Sequence, residues 1–165
     1  MDFIINTADS LGVCDQEISE LLTRVYVDGG FTTPEIASSV FEPSAVRCRG
    51  KIIGAREQHD SELAGMVIVV YPDAPARRFA EGNQTEMHLL GVRSEHRGKG
   101  LGRMLVEAAI ETAKQDGYST MLLATQSTMQ AAHRLYGQSG FVRRPDKDFR
   151  RNGRDFWAYQ ATFGT

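Results

Sequence analysis

The spacing of hydrophobic positions along the 165-residue chain separates strand-like segments from helix-like segments. Short apolar runs between turn-forming residues predict strands, and apolar residues that recur every three or four positions predict amphipathic helices. The predicted strands are 3–6, 51–58, 62–71, 86–92, 119–125, 141–144 and 156–162. The predicted helices are 15–27, a short helix beginning near 34, a long helix from 101 to a glycine C-cap at 117, and 128–137.

The order of these elements indicates the fold class. It predicts an α/β (α+β) sandwich with a mixed, mostly antiparallel sheet of six or seven strands and about four helices. The long helix joins two successive strands, 86–92 and 119–125, and such a βαβ unit implies right-handed crossover and parallel pairing. No repeat, low-complexity tract or linker interrupts the chain, so residues 1–165 are expected to form a single domain.

Composition excludes several functional classes. The chain is 41% hydrophobic and 24% charged with a formal net charge of −2, which gives no bulk attraction to nucleic acid or anionic lipid. The basic residues of 143–154 alternate with aspartates, so they predict a solvated hairpin. The first ten residues do not resemble a signal peptide, and Cys14 and Cys48 lack metal-ligand spacing. We therefore expect a cytoplasmic protein with no metal, no nucleic-acid partner and no membrane segment.

A glycine-rich turn lies between the central strand and the long helix. It comprises Arg97, Gly98, Lys99, Gly100, Leu101, Gly102 and Arg103. Glycines allow backbone N–H groups to converge on one point, and a helix N-terminus adds unpaired N–H groups and the positive end of the helix dipole. The three basic side chains add positive charge. The turn therefore predicts a site for an anion such as a phosphate or pyrophosphate.

Glycine spacing separates this turn from two common nucleotide-binding motifs. A Walker loop requires glycine where Arg93 stands and Ser or Thr directly after Lys99, and both positions differ. A dinucleotide fingerprint that starts at Gly98 requires glycine or alanine at Arg103, which argues against a Rossmann domain. The remaining pattern is Arg-x-x-Gly-x-Gly, beginning at Arg97.

This pattern resembles the coenzyme A pyrophosphate loop of the GNAT-family N-acetyltransferases. Two further features match that family, because the strand 90–92 stands where the family binds pantetheine and a second conserved block follows downstream. That block is Ala132-x-x-Leu135-Tyr136 followed by Gly140-Phe141. The resemblance extends over residues 63–141. It implies a GNAT fold, acetyl-CoA as the cosubstrate, and direct transfer of an acetyl group to a primary amine in a ternary complex.

The resemblance also implies coenzyme A contacts outside the turn. They are Leu90, Gly91, Val92, Met129 and Ala132. Met129 is a departure, because the family often has an asparagine there that can hydrogen-bond pantetheine. Gly91 permits a bulge that would splay two strands and let pantetheine pair with the strand backbone, although it could equally be a packing glycine.

Three residues are candidates for proton transfer. An alkylammonium has a pKa of about 10, so a base must remove its proton before it attacks a thioester. Glu86 occupies the place where some GNAT members keep a catalytic glutamate; the alternatives are an exposed carboxylate without a catalytic role and ordered water as the base. His88 is a rival base, because strand alternation places it on the same face. Tyr136 is the candidate acid that protonates the coenzyme A thiolate, or else a core aromatic.

The sequence leaves the acceptor amine open. We expect a small-molecule amine, with a peptide or protein amine as the alternative. Phe149 and the loop 29–33 are expected to border its site. A non-catalytic coenzyme A-binding sensor is a second interpretation, which Met129 keeps open. Homodimers are common in the resembled family, so a homodimer is also compatible with the sequence.

Overall fold

One mixed β-sheet runs through the centre of the protein. The computed structural model describes residues 2–164, so the two end residues of the predicted domain 1–165 lie outside the described range. Within that range the sheet has eight strands: β1 (Phe3–Thr7), β2 (Lys51–Glu57), β3 (Leu63–Val70), β4 (Thr85–Val92), β5 (Thr120–Gln126), β6 (Val142–Arg143), β7 (Phe149–Arg151) and β8 (Arg154–Thr162). They are ordered β1-β2-β3-β4-β5-β8-β6, and β7 also pairs with β8. Every pairing is antiparallel except that of β4 with β5.

Helices cover both faces of this sheet. They are α1 (Asp15–Leu22), which continues as a π-helical segment Thr23–Val27, α2 (Pro34–Val40), α3 (Pro43–Arg47), α4 (Leu101–Gln115) and α5 (Gln130–Gln138). Helices α1 and α2 pack into one buried apolar cluster, and α4 packs into a second cluster. Strand β3 is wholly buried, and neighbouring residues such as Val67 and Ile68 belong to different clusters. None of the helices within residues 2–164 combines the length and apolar character that a bilayer span requires.

The predicted fold class is confirmed, and the helices differ from the prediction in detail. Helix α3 was not predicted, because five residues are too few to show a helical period. Pro43 begins it, and the Glu42 carboxylate caps it by accepting hydrogen bonds from two backbone N–H groups. Helix α1 begins at Asp15 as predicted, and Cys14 is its N-cap residue.

Strand β7 lies inside the charged segment 143–154, for which the sequence predicts a solvated hairpin but no strand at these residues, and it raises the strand count to eight. It pairs with β8 through a two-residue turn at Asn152 and Gly153, where both residues have positive φ. An Asn-Gly pair is the usual signal for such a hairpin. The sequence therefore contained evidence for β7 that its charged residues obscured.

The pairing between β4 and β5 is short, and this opens the sheet. Only Thr85–Met87 pair with Met121–Leu123, in the parallel sense that the βαβ pattern predicts. Beyond these residues, β4 stays paired with β3, and β5 stays paired with β8. The two strands separate there, and the gap is bordered by the N-terminal ends of α4 and α5.

A bulge in β4 lies beside this gap, although not at the predicted residue. The pairing with β3 shifts between His88 and Gly91, so Leu89 and Leu90 together face one residue of β3. Leu89 has a φ of 50°, which a leucine rarely adopts. Gly91 has a different role, because a Cβ there would lie 3.3 Å from Val25 Cγ2. The glycine therefore allows the π-helical segment to pack closely on β4.

Candidate active site

The glycine-rich turn forms the N-terminus of α4. Gly98 and Gly100 have φ values of 74° and 81°, which favour glycine, and Gly100 is the N-cap residue. No side chain caps the helix, so the N–H groups of its first turn have no partner within the helix. A Cβ on Gly102 would lie 3.1 Å from Leu135 Cδ2, so this glycine lets α4 and α5 approach each other. The turn has the geometry of an anion site.

The charged side chains of the turn have other contacts or are exposed. Arg97 Nε donates to the Val92 carbonyl oxygen at 3.3 Å, which ties the turn to β4. Arg103 Nε donates to Glu107 Oε1 at 3.0 Å on the exposed surface of α4. Lys99 is exposed. The backbone N–H groups and the positive end of the helix dipole add to the attraction that these cations exert on an anion at this point.

An open cleft of about 650 Å³ extends from the turn along β4 to the start of α5. All of the predicted coenzyme A contacts except Lys99 line it: Leu90, Gly91, Val92, Arg97, Gly98, Gly100, Leu101, Gly102, Arg103, Met129 and Ala132. One end of the cleft is formed by the glycine-rich turn, and the rest of its wall is largely apolar. This combination fits coenzyme A, because its pyrophosphate is anionic and its pantetheine arm is extended.

A second pocket of about 130 Å³ adjoins the cleft. Leu90 and Met129 line both spaces, so they form the boundary between them. The wall of the second pocket also includes Tyr26, Arg49, Arg78, Phe79, His88 and Tyr136. Phe149 lines this pocket, whereas Phe31 of the predicted bordering loop lines the cleft. A ligand in the cleft and a ligand in the pocket would meet at the shared boundary.

Glu86 lies behind the pocket wall and has no exposed surface. Its carboxylate accepts hydrogen bonds from the backbone N–H groups of Arg78, Phe79 and Ala80 at 2.8–3.1 Å. It also contacts His88 Nε2 at 2.8 Å, which confirms that the two side chains share a face. Burial alone would raise the pKa of Glu86, but these bonds outweigh it and hold the pKa below its usual value. The ionised carboxylate therefore anchors the loop before β4.

His88 connects Glu86 to the pocket. Arg49 Nη1 lies 3.2 Å from His88 Nδ1. Because a guanidinium has no acceptor, Nδ1 accepts this bond, and Nε2 carries the hydrogen that Glu86 accepts. Burial lowers the pKa of His88, and the charges of Arg49 and Arg78 lower it further, while Glu86 opposes the change. His88 is therefore a neutral imidazole at pH 7 with its basic lone pair on Nδ1.

Tyr136 contributes to both the core and the pocket wall. Its ring packs against Phe141 and Tyr159 at centroid distances of 5.9 and 6.0 Å. Burial raises the pKa of Tyr136 far above its ordinary value, so the hydroxyl keeps its proton at neutral pH.

Tyr26 Oη donates to the Leu90 carbonyl oxygen at 2.7 Å and so holds the bulged part of β4.

Sequence reasoning missed most of the charged and aromatic wall of the second pocket. Arg49 reaches the pocket because the chain passes very close to β3 at Gly50, where a Cβ would lie 2.0 Å from the Val69 oxygen. Arg78 and Phe79 belong to the loop before β4, whose path depends on its bonds to the buried glutamate. None of these residues belongs to a local motif, so the sequence carried no signal for them.

One group of side chains among the described residues has metal-ligand spacing. Ligand atoms of Glu57, Asp60 and His96 lie within 4.8 Å of one another. Glu57 and Asp60 do not line the cleft or the second pocket. Acidic groups are often this close without an ion, so the spacing alone does not define a metal site.

Comparison with curated proteins points to acetyltransferases. An uncharacterized N-acetyltransferase of Schizosaccharomyces pombe is 37% identical over 92 residues, which are 56% of this chain and 52% of that protein. N-acetylaspartate synthetase of Danio rerio is 35% identical over 81 residues, which are 49% of this chain and 28% of that protein. The chain therefore spans about half or less of the length of these relatives.

A solved structure and a family model extend the comparison to the whole fold. The Bacillus subtilis acetyltransferase in complex with CoA matches with a TM-score of 0.69 at 22% identity, covering 99% of this chain and 100% of that chain. This likeness shows that the two proteins share a fold. The family model described as Acetyltransferase (GNAT) family matches residues 16–141. Because that match covers most of the chain, including the turn and the second conserved block, the protein belongs to the GNAT family of acetyltransferases.

Proposed function

We propose that this protein is an acetyl-CoA-dependent N-acetyltransferase that transfers the acetyl group directly to the primary amine of a small molecule. The observation that carries the proposal is the meeting of the cleft and the second pocket at Leu90 and Met129. A thioester at that boundary would lie beside an amine in the pocket, and direct transfer requires this proximity. Family membership and the CoA-bound acetyltransferase of the same fold support the same reaction.

The residues of the cleft would hold acetyl-CoA, which supplies the activated acetyl group. Backbone N–H groups of 100–103 would bind the pyrophosphate, while 90–92 and Ala132 would contact pantetheine. Met129 stands where an asparagine would add a polar contact, and its sulfur instead accepts from the Thr125 hydroxyl at 3.7 Å. Binding of the cosubstrate would therefore depend more on backbone groups than in relatives with the asparagine.

His88 is the general base in this proposal, and Glu86 acts through it. Both Glu86 oxygens already accept bonds from loop N–H groups or from His88, and the carboxylate has no exposed surface. It therefore cannot receive a proton from an amine directly. Its bond to Nε2 fixes the tautomer that leaves the basic lone pair on Nδ1, as in other carboxylate–histidine pairs. We assign Glu86 a positioning role in place of the direct role that the resemblance implies.

The acceptor ammonium gives up two protons during the reaction. His88 Nδ1 takes the first and releases it to water, and the neutral amine nitrogen then bonds to the acetyl carbon as the C–S bond breaks. Tyr136 donates a proton to the departing thiolate, and the second amine proton restores its hydroxyl. Because burial raises its pKa, Tyr136 is protonated at neutral pH and able to act as this acid.

Two alternatives compete with a small-molecule acetyltransferase. The first is an enzyme that acetylates a peptide or protein amine, and the small volume of the pocket, about 130 Å³, disfavours it. The relative named N-acetylaspartate synthetase also favours a small acceptor. The second is a non-catalytic module that binds coenzyme A, which Met129 favours because it weakens the match to the family.

Release of the coenzyme A thiol from acetyl-CoA, measured with a panel of amines, tests the proposal. Turnover with a small amine supports the enzyme. Calorimetric binding of coenzyme A without turnover on any amine supports the non-catalytic module. A protein that does not bind coenzyme A in this cleft, shown by calorimetry and co-crystallisation, would contradict both.

The proposal also concerns the domain organisation of the protein and its location in the cell. We propose that residues 1–165 act as a single catalytic domain in the cytoplasm. Cys14 and Cys48 are both free and exposed, which is typical of a reducing compartment. Sedimentation analysis would report whether the chain forms the homodimer that is common in the family.

A further inference from the structure

Arginine side chains give the second pocket a positive charge. Arg49 comes from the turn after α3 and is partly buried, and Arg78 comes from the loop before β4 and is exposed. Burial and the repulsion of Arg78 lower the pKa of Arg49 to about 10, which leaves it charged at neutral pH. Arg151 is close enough to add to this repulsion. Arg49 and Arg78 therefore place two positive charges on one small pocket.

These cations lack a carboxylate partner of their own. Within residues 2–164, neither Arg49 nor Arg78 forms an ion pair, and the hydrogen bond from the Arg49 guanidinium goes to His88 Nδ1. Glu86 acts on Arg78 through space, but its oxygens are occupied by loop N–H groups and His88. A partly buried cation is costly unless an opposite charge neutralises it. The pocket is therefore complementary to an anionic group.

We propose that the acceptor is an amine that also carries a carboxylate bound by Arg49 and Arg78, namely a free α-amino acid with an apolar side chain. The inference rests on the proposed function and names the substrate class for that same site. Guanidinium groups suit this role because they bind carboxylates through two parallel hydrogen bonds. An α-amino acid separates amine from carboxylate by one carbon, and the corresponding groups of the pocket, His88 and Arg49, are hydrogen-bonded neighbours.

Aromatic rings form another part of the pocket wall. Phe149 and Phe156 stack with their centroids 5.0 Å apart, and Phe79 lies 6.2 Å from Phe149. These rings offer apolar surface to a side chain and no charge. A polyamine or a lysine-rich peptide would instead bring additional cations against Arg49 and Arg78, which like-charge repulsion disfavours. The wall therefore favours an amino acid whose side chain is apolar.

The Arg49–His88 contact also links binding of the acceptor to proton transfer. Arg49 Nη1 occupies the Nδ1 lone pair that the base requires. A carboxylate accepts a hydrogen bond from a guanidinium more strongly than a neutral imidazole does. An amino acid would therefore draw the Arg49 guanidinium to its carboxylate and free Nδ1 for its own ammonium group. An amine without a carboxylate lacks this effect.

Matched acceptors test the inference. L-phenylalanine and 2-phenylethylamine differ only in the carboxylate, as do L-leucine and 3-methylbutylamine. We expect kcat/KM for each amino acid to exceed that of its matched amine by about 10- to 100-fold, the range for charge-assisted hydrogen bonds. Spermidine, as a polycation, should react more slowly than either amino acid. Equal rates within both pairs would overturn the inference and leave the N-acetyltransferase itself supported.

Arginine variants locate the carboxylate site. Arg49→Met and Arg78→Met keep much of the side-chain volume and remove the charge. Each should reduce the preference for L-phenylalanine over 2-phenylethylamine, through KM in Arg78→Met and through both kcat and KM in Arg49→Met. Arg134→Met is the matched control, because Arg134 is exposed on α5 and lines neither the cleft nor the pocket. A preference retained in both folded pocket variants would overturn the assignment.

Calorimetry distinguishes failure of this inference from failure of the proposed function. L-phenylalanine and 2-phenylethylamine are titrated into the protein with coenzyme A bound. Suppose that no amine is acetylated, but that L-phenylalanine binds about tenfold tighter and Arg49→Met removes the difference. That result would support the carboxylate site and contradict the enzymatic function. If neither ligand binds and no amine reacts, the carboxylate site and the enzymatic function are both contradicted.

Discussion

The cleft and the second pocket share a boundary, yet they are built in different ways. One end of the cleft is formed by residues contiguous in the chain, because the turn 97–103 supplies backbone groups at a single helix terminus. The pocket gathers side chains from segments as far apart as Tyr26 and Phe156. The cleft is therefore shaped largely by backbone conformation at one helix terminus, and the pocket by side chains from distant segments.

Because of this difference, variants of the cleft and variants of the pocket should have different effects. A backbone site tolerates many side-chain changes but not the loss of a glycine with positive φ. A site made of side chains depends on each charged or titratable group and on the groups that set its pKa. Variants of the cleft should therefore change affinity for coenzyme A, whereas variants of the pocket should change the rate and the choice of acceptor.

The largest difference between the effect on turnover and the effect on coenzyme A binding is expected for His88→Gln. Loss of the base should lower kcat by about 10²- to 10⁴-fold. Affinity for coenzyme A should be retained, because His88 lines the pocket and not the cleft. The pKa of His88 is lowered from 6.5, so the wild-type pH profile of kcat should lose activity only below that pH, where Nδ1 becomes protonated. That acid limb should vanish in the variant.

His133→Gln is the control for that experiment. His133 Nε2 is bonded to the Gln126 carbonyl oxygen at 2.9 Å, and its ring stacks on Trp157 with the centroids 4.9 Å apart. This variant should keep the acid limb. If His88→Gln also keeps it, His88 is not the base, and ordered water takes its place.

A change in the turn should affect the cleft alone. In Gly100→Val a β-branched residue would occupy a φ of 81°, with nothing within 4 Å of the new Cβ, so the effect comes from backbone strain and not from a clash. Relaxation of that strain moves the N–H groups of the turn. We expect the Kd of coenzyme A, measured by calorimetry, to rise about 10- to 100-fold.

Gly117→Val is the matched control, because Gly117 follows the other end of α4, has a φ of 92° and has nothing within 4 Å of an added Cβ. Gly117→Val should lower the free energy of unfolding about as much as Gly100→Val does, and it should leave coenzyme A affinity unchanged. Equal affinities in the two valine variants would mean that the turn does not bind the cosubstrate.

Glu86→Gln should test positioning within the pocket. An amide in place of the carboxylate weakens the bonds to the loop N–H groups and to His88. Because Glu86 raises the pKa of His88, its removal should move the acid limb of the pH profile to lower pH, together with a fall in kcat of about tenfold. A purely structural role would lower thermal stability and leave the position of the limb unchanged.

Tyr136→Phe should have a smaller effect. The thiol of coenzyme A has a pKa of about 8.5, so protonation of the leaving group helps but is not essential, and we expect kcat to fall about tenfold or less. Tyr159→Phe is the control, since this ring lies 6.0 Å from that of Tyr136 and does not line the pocket. Equal kcat values for the two phenylalanine variants would remove Tyr136 as the acid.

The smallest effect is expected for Arg97→Ala. The side chain is exposed, and its observed bond goes to the Val92 carbonyl oxygen. Loss of that bond should weaken coenzyme A binding by about threefold, since exposed charges contribute little. A loss as large as that of Gly100→Val in the same calorimetric assay would show that side-chain charge, and not the backbone, holds the pyrophosphate.

Local sequence patterns suffice to predict the order of most elements and the place of the cleft. The β4–α4–β5 unit and its parallel pairing follow from hydrophobic periods and a glycine-rich turn, which are local properties of neighbouring residues. Helix α3 escaped prediction because it is only five residues long. Strand β7 escaped it although Asn152-Gly153 signals a hairpin, because charged residues dominate the segment.

The construction of the second pocket depends on contacts between segments that are far apart in the chain. The sequence left Glu86 and His88 as rival bases, because both lie on one face of the same strand. The fold buries the glutamate under the N–H groups of a loop and brings Arg49, 39 residues away in the chain, to the histidine. Burial and hydrogen-bond partners set a pKa, and they depend on which distant segments come into contact in the fold. No local pattern of residues encodes these contacts.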